Sequence, residues 1–384
     1  MPTSSPGFVG SRLREAREVR QLTAVSLAEM VDVTPATVSA YENGHWTPSP
    51  EVLAKITETL NFRTEFFFRP GIRLEDTRQT IFERSKSSTT KSTRRRAQHQ
   101  RTWLREILQY LDQFVTLPAP NFPPDGLDWS RLEDEAIEES ARRTRRHWNL
   151  GDGPISNVTL LAEKNGIIVT MVPMNARDLS AFSTLDHDDQ RPYIVLGTDI
   201  PSPFRTRFNV CHELGHLVLH RTVTPLEFQD QRYFKMIESQ ADRFAAALLT
   251  PASTFSPDIT APTLDVFRTL KPRWRTSIKM MVYRAQELNI IDREEARRLY
   301  INYNRRGWNR GEPLDRETEV EKPRLVRRVF EAIIDNDVLE RSQIVAALPF
   351  NREDIEQLAN LPHGYLDEES AYNQAIRDLE GLFQ

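Results

Sequence analysis

The sequence predicts a multidomain chain: an all-α head with helix-turn-helix geometry, an α+β body built around a small sheet, and a mainly helical C-terminal extension. Three observations predict it. At 384 residues the chain is longer than one ordinary core, so two or three domains are expected. Apolar residues at helical spacing, punctuated by capping residues, fill the start of the chain. Further on, three short β-rich segments stand directly before residues 208–220 (FNVCHELGHLVLH), where the spacing is helical again.

With 39% hydrophobic and 28% charged residues the composition is that of a soluble globular protein. No run of about 18 apolar residues occurs, and the N-terminus lacks a charged stretch followed by an apolar one, so no membrane span or secretory signal is expected and a cytoplasmic location is. The single cysteine, Cys211, excludes an internal disulfide framework and fits a reducing compartment. Any metal site must therefore use histidines and carboxylates. Residues 1–110 carry 17 Lys and Arg against 12 Asp and Glu, a balance of +5 that leaves -9 for the remainder of a chain whose net charge is -4. A mildly basic head on an acidic body suggests that the head meets an anion.

Residues 8–70 form the head. Leu13, Ala16 and Val19 share a helical face, which Leu27, Ala28 and Val31 continue into a short second helix with Ser26 as its expected cap. Thr34-Pro35 caps and opens the next helix and Gly44 closes it, so a tight turn at residues 31–33 joins two helices in helix-turn-helix geometry. Leu27-Ala28, Val33, Val38, Ser39, Tyr41-Glu42-Asn43-Gly44, Pro48 and Leu53 resemble the XRE/Cro-like helix-turn-helix family over about 60 residues. The resemblance implies double-stranded operator DNA as partner and residues 34–43 as recognition helix, opened by Thr34. It places Pro35, Ala36, Thr37 and Ala40 near bases and Asn43 near the backbone. Pro35 and Ala36 offer no bidentate hydrogen bonds, so Thr37, Ser39 and DNA shape must supply much of any specificity. The rival reading is a helical module that docks a protein instead.

Residues 71–126 read as a linker and a connecting helix. Residues 85–101 (SKSSTTKSTRRRAQHQR) are rich in Ser, Thr and basic residues and read as a spacer, helical from about Thr93. Trp103, Leu104, Ile107, Leu108 and Leu111 then fall on one helical face. The proline-rich segment 117–126 is the expected boundary, and residues 132–148 are helical again.

The body, 127–257, is expected to run from a helix ending at Asn165-Gly166 through strands at 166–174, 179–185 and 193–197 to the histidine helix. In that helix His212 and His216 lie four residues apart on one face, with Glu213 between them in an H-E-x-x-H motif, a zinc signature. A hydrolytic zinc site usually takes three protein ligands. The best third candidate is Glu238, in an Ala-rich helix opposite Phe244 and Leu248, with Asp242 one turn on as a carboxylate able to orient a histidine. Glu227 is the alternative, in a setting that reads as loop. His220 completes a triplet at intervals of four, but a straight helix turns about 40° too far per four residues to hold three rings on one point. It is therefore expected to pack, hydrogen-bond or touch substrate.

HELGHLVLH, followed by ESQADRFAAALLTP, resembles the ImmA/IrrE family of zinc metallopeptidases over about residues 131–251. The resemblance implies a zincin-like body with His212, His216 and Glu238 as zinc ligands and Glu213 as general base. It also implies regulatory cleavage of a repressor or of a toxin–antitoxin or mobile-element partner. An oxyanion donor is needed as well, for which His220 and Tyr193 are candidates, and strand 179–185 is a candidate for pairing with an extended substrate. The C-terminal extension, 258–384, is expected to hold a long helix at 274–291 and further helices at 322–334 and 340–347.

The resulting expectation is a DNA-binding regulator fused to a zinc endopeptidase, without membrane attachment. Heads of this kind read paired half-sites, which makes a homodimer an expectation too. The alternative is a non-proteolytic repressor or antitoxin-like protein whose body senses a signal or grips a partner.

Overall fold

The computed structural model describes residues 7–71, 81–83, 91–123, 127–175, 180–185, 191–199 and 202–367. The spacer reading over 85–90, the end of the proline-rich break at 124–126, Leu179 and the end of the C-terminal extension beyond 367 lie outside the described residues.

The head holds α1 (Gly10–Val19), α2 (Ala24–Met30), α3 (Pro35–Glu42) and α4 (Pro50–Leu60) around Leu13, Ala16, Leu27, Val31, Val38 and Leu60. Helix α2 is capped by Thr23, whose hydroxyl accepts from the Ser26 amide at 3.0 Å, three residues before the expected cap. Thr34 caps α3, Pro35 takes its first position, and Gly44 leaves it at φ 73°. Gly10 lets α1 cross the end of α3, since a Cβ there would lie 2.0 Å from the Tyr41 carbonyl oxygen.

Strand β1 (Ile81–Glu83) and α5 (Lys91–Leu111) follow. The expected apolar face of α5 is buried, Trp103 to Leu111. Its basic first half is not a solvated spacer. Arg95 pairs with Glu18, His99 Nε2 lies 2.9 Å from Glu18, the Trp103 indole donates to Glu15, and Glu106 reaches Arg12 at 2.6 Å. Acidic residues on α1 thus draw a basic helix against the head.

After α6 (Asp134–His147) and α7 (Val158–Lys164) come β2 (Ile168–Val172), β3 (Ala181–Leu185) and β4 (Pro192–Gly197). Among the described residues they form a sheet in the order β1-β3-β4-β2, with β2 and β4 parallel and the other pairs antiparallel. Alternation sends Val169, Ala181, Ile194 and Leu196 to one face and Ile168, Val172, Phe182, Tyr193 and Val195 to the other. The first face packs on α8 (Pro203–Leu219), after which come the short α9 (Pro225–Gln229) and α10 (Gln231–Leu249).

Helices α11 (Ala252–Asp258), α12 (Leu264–Trp274), α13 (Ile278–Glu287) and α14 (Arg293–Arg305) share a core around Phe255, Phe267, Trp274 and Met281. The single helix expected at 274–291 is broken: α12 ends at Trp274, Arg275 turns left-handed at φ 50°, and Ser277 caps α13. The apolar positions Ile278, Met281, Val282 and Ala285 are buried all the same, and Leu288 is partly buried.

The last helices, α15 (Leu325–Asp335), α16 (Arg341–Ala347) and α17 (Arg352–Ala359), cover the second sheet face together with α5, and the head joins the same core. Asn360 hydrogen-bonds both backbone groups of Met171, at 3.1 and 2.8 Å, and so completes the outer edge of β2. Arg20 pairs with Asp354 at 2.8 Å, and Arg63 donates to the Val345 carbonyl at 2.6 Å. The extension therefore fastens the head to the body.

Candidate functional site

Helix α8 starts at the Ser202 cap with Pro203 in its first turn, and buries Val210, Leu214, Leu217 and Val218 in the body core. That burial fixes the rotation of the helix and sets His212, Glu213 and His216 between α10, β3 and β1. All three are nearly inaccessible, at 1%, 1% and 0% exposure. Asp230 caps α10, which crosses α8 at Gly215, where a Cβ would stand 3.1 Å from Ala241 Cα. The close crossing brings Glu238 and Asp242 to the histidines.

His212 Nε2 and His216 Nε2 are 3.0 Å apart, and the Glu238 carboxylate oxygens lie 3.6 and 3.3 Å from them. Donors around a tetrahedral zinc at its usual bond lengths are separated by about 3.3 Å. The three residues therefore fit such an ion, and they form a group able to hold a metal among the described residues. Glu227, the alternative third ligand, instead closes a capping box with Thr224 at the start of α9, which is a short helix rather than a loop.

The far nitrogens of both imidazoles are held. His212 Nδ1 donates to Asp242 Oδ1 at 2.8 Å. His216 Nδ1 lies 3.0 Å from His220 Nδ1, His220 Nε2 lies 2.8 Å from Gln240 Oε1, and the Gln240 amide donates to the Trp129 carbonyl at 2.9 Å. The direction of this chain follows from its end. A carbonyl only accepts, so Gln240 turns its NH₂ to Trp129 and its oxygen to His220. His220 then carries its proton on Nε2, and His216 carries its own on Nδ1, leaving both ligand Nε2 atoms as lone-pair donors toward one point.

The electrostatics of the metal-free chain set the two rings apart: His216 is held neutral, whereas His212 must give up a proton to ligate. Burial opposes charge on His212, but Asp242 and Glu238 outweigh it and raise its pKa to about 9. Burial dominates at His216, lowering it to about 4, and holds His220 well below the usual histidine value. Glu238 is penalised by burial, yet the imidazoles of His212 and His216 beside it keep it well below the usual carboxylate range. Burial pushes the Cys211 thiol up to about 12, consistent with a core residue.

The Ser183 hydroxyl donates to Glu213 Oε2 at 2.6 Å. Sequence reasoning missed Ser183, although alternation along β3 puts it between Ala181 and Leu185 on the face toward α8, an unusual place for a hydroxyl. It also missed Phe82, whose ring stacks on His216 at 4.7 Å and 6°. The two candidates for substrate or oxyanion contact are not presented to a substrate. His220 is fully buried beneath His216, and Tyr193 is 1% exposed on the opposite sheet face, under the Arg101 guanidinium, because a strand period of two sends it there.

On α3, Pro35, Ala36, Ser39 and Asn43 are exposed, and Thr37 and Ala40 are partly so. Thr34 accepts from the Thr37 amide at 3.1 Å, and the two hydroxyls are 2.8 Å apart. Asn43 Oδ1 accepts from Arg14 at 2.6 Å, and its amide lies 3.3 Å from Ser39 Oγ. Much of the polar chemistry of this helix is thus turned on itself.

Residues 13–67 match a family described as Helix-turn-helix, and residues 162–286 match one described as IrrE N-terminal-like domain. The chain therefore joins a helix-turn-helix DNA-binding head to an IrrE N-terminal-like body. A comparison with curated proteins found no match. Among solved structures it is similar to Bacillus thuringiensis PlcR, in a crystal structure with the peptide PapR7 and DNA, at 12% identity over 97% of this chain and 99% of that one. The TM-score is 0.16, so nothing about fold or function is drawn from that likeness. Among the described residues, no helix is long and apolar enough to cross a membrane.

Proposed function

We propose that the chain is a cytoplasmic DNA-binding regulator whose body is a zinc endopeptidase that cuts a repressor or another partner protein, such as a member of a toxin–antitoxin pair. The observation that carries this reading is the convergence of His212, His216 and Glu238 on one point, with both imidazoles oriented from their far nitrogens. Three protein donors leave one position open at a hydrolytic zinc. Zinc bound there would lower the pKa of water toward about 7 and polarise the scissile carbonyl.

The remaining chemistry belongs to the chain. Glu213 takes the proton of the attacking water and returns it to the leaving amine. Ser183 restricts the rotation of that carboxylate, and burial keeps bulk water from competing for it. Asp242, and His220 backed by Gln240, orient the ligating rings. The head would bring this centre to an operator, with pairs of heads on paired half-sites in a homodimer.

Metal analysis with a Glu213→Gln comparison tests the reading. The wild type is expected to hold about one zinc per chain. Glu213→Gln should keep the metal but lose cleavage of a co-expressed partner by at least about 100-fold. Identical regulatory phenotypes for the two proteins would instead support a regulator that grips its partner without proteolysis.

A further inference from the structure

Strand β3 lies directly over the candidate centre, and its outer edge is taken by the chain's own residues 81–83. The pairing is antiparallel and three residues long, with Phe82 opposite Ser183, the residue that holds Glu213. Cross-strand partners share a face, so Phe82 points at the centre. Its ring lies flat on His216 at 4.7 Å and edge-on to Phe228 at 5.3 Å. Trp129, Val223 and Ile237 complete the pocket around it, a small apolar cluster separate from the main core. Phe82 itself is 3% exposed.

Strand β1 is foreign to the body in sequence. It comes from the stretch between the head and α5, far outside the matched region 162–286. A three-residue pairing with one anchoring ring also has the form of strand addition: main-chain hydrogen bonds give affinity and a side-chain pocket gives selectivity.

We infer that the pocket beside His216 receives a bulky apolar side chain of an extended substrate segment paired along β3, and that residues 81–83 are an internal occupant competing for that seat. The inference rests on the endopeptidase reading and adds its substrate class and its restraint. The partner protein must offer an extended segment with a large apolar residue. The peptidase rests closed until such a segment displaces Phe82.

Peptide binding tests this directly. A fluorescein-labelled decapeptide with Ile-Phe-Glu at its centre, and a counterpart with serine in place of phenylalanine, are titrated by fluorescence anisotropy. Both are added to the full chain in a Glu213→Gln background, with and without zinc. Phe82→Ala is expected to bind the phenylalanine peptide about tenfold tighter than the parent, about 1.4 kcal/mol. Phe82→Trp, which refills the pocket, should return to the parent's affinity. The phenylalanine peptide should also outbind the serine peptide about tenfold on the parent, a comparison that needs no change at Phe82. Equal affinities across the three proteins, or across the two peptides, would overturn the inference. Zinc content measured on the same samples reports on the metal centre alone. Absent zinc counts against the endopeptidase reading, whereas flat peptide binding with zinc present removes only the pocket and its occupant.

Discussion

Helix α8 keeps His212, Glu213 and His216 in the interior, each fixed by a named neighbour. Helix α3 keeps Pro35, Ala36, Ser39 and Asn43 in solvent, with its threonines turned to its own first turn. Both helices begin with a capped proline, so the contrast lies in what surrounds them. On α8 the fold has already immobilised the donors, and a ligand meets them preorganised. On α3 the fold decides only which residues face outward, and DNA itself must decide which of them bind. A burial-fixed site should therefore respond sharply to single changes, and a solvent-facing surface only weakly.

The sharpest response is expected at His216. His216→Ala should abolish stable zinc retention on gel filtration, where the parent keeps about one per chain; full retention would remove this residue from the ligand set. Next comes pH. A ligating histidine must be deprotonated, and His212 has a pKa of about 9 in the metal-free chain, whereas His216, at about 4, is already neutral at pH 7. One proton leaves on binding, so zinc affinity from competition titrations should rise about tenfold per pH unit, about 100-fold from pH 6 to 8. Folding of the metal-free chain runs the other way. The raised pKa contributes stability that is fully present below about pH 6.5 and fades as pH rises through about 9.

His220→Ala, which leaves the Nδ1 proton of His216 without its acceptor, should weaken zinc binding by about 10- to 100-fold. A change below twofold would reduce His220 to packing. Smallest of all, Ser39→Ala on α3 should alter operator affinity by less than about tenfold, measured by electrophoretic mobility shift, and leave zinc content untouched. A much larger loss would mean that this surface is as preorganised as the metal centre, and the contrast would fail.

The same contrast governs how much could be read beforehand. The H-E-x-x-H spacing and the carboxylates at Glu238 and Asp242 follow from helix period, a local property that the crossing at Gly215 leaves undisturbed. The head is legible for the same reason, apart from a cap displaced by three residues to Thr23. Phe82 was not legible, because its meaning comes from pairing between segments 101 positions apart in the chain, which no local period encodes, and Ser183 offered only an inward-facing hydroxyl whose partner, Glu213, lies 30 positions on. The inward turn of α5 was hidden likewise: its arginines and His99 resemble a solvated run until Glu15 and Glu18 on α1 are placed against them. The break at Arg275 escaped because the apolar positions on its two sides stay in phase.

Asn360 has a practical consequence. Its side chain completes the β2 edge, and α15 to α17 close the sheet face that carries Ile168, Val172, Phe182, Tyr193 and Val195. A body cut out at residues 127–257 would present an apolar sheet face and an unsatisfied strand edge to water, a recipe for sheet-to-sheet association. The smallest piece of this chain expected to stay monodisperse by light scattering thus extends through Leu366 and keeps α5. Here the unit of inheritance suggested by motif boundaries is smaller than the unit of solubility.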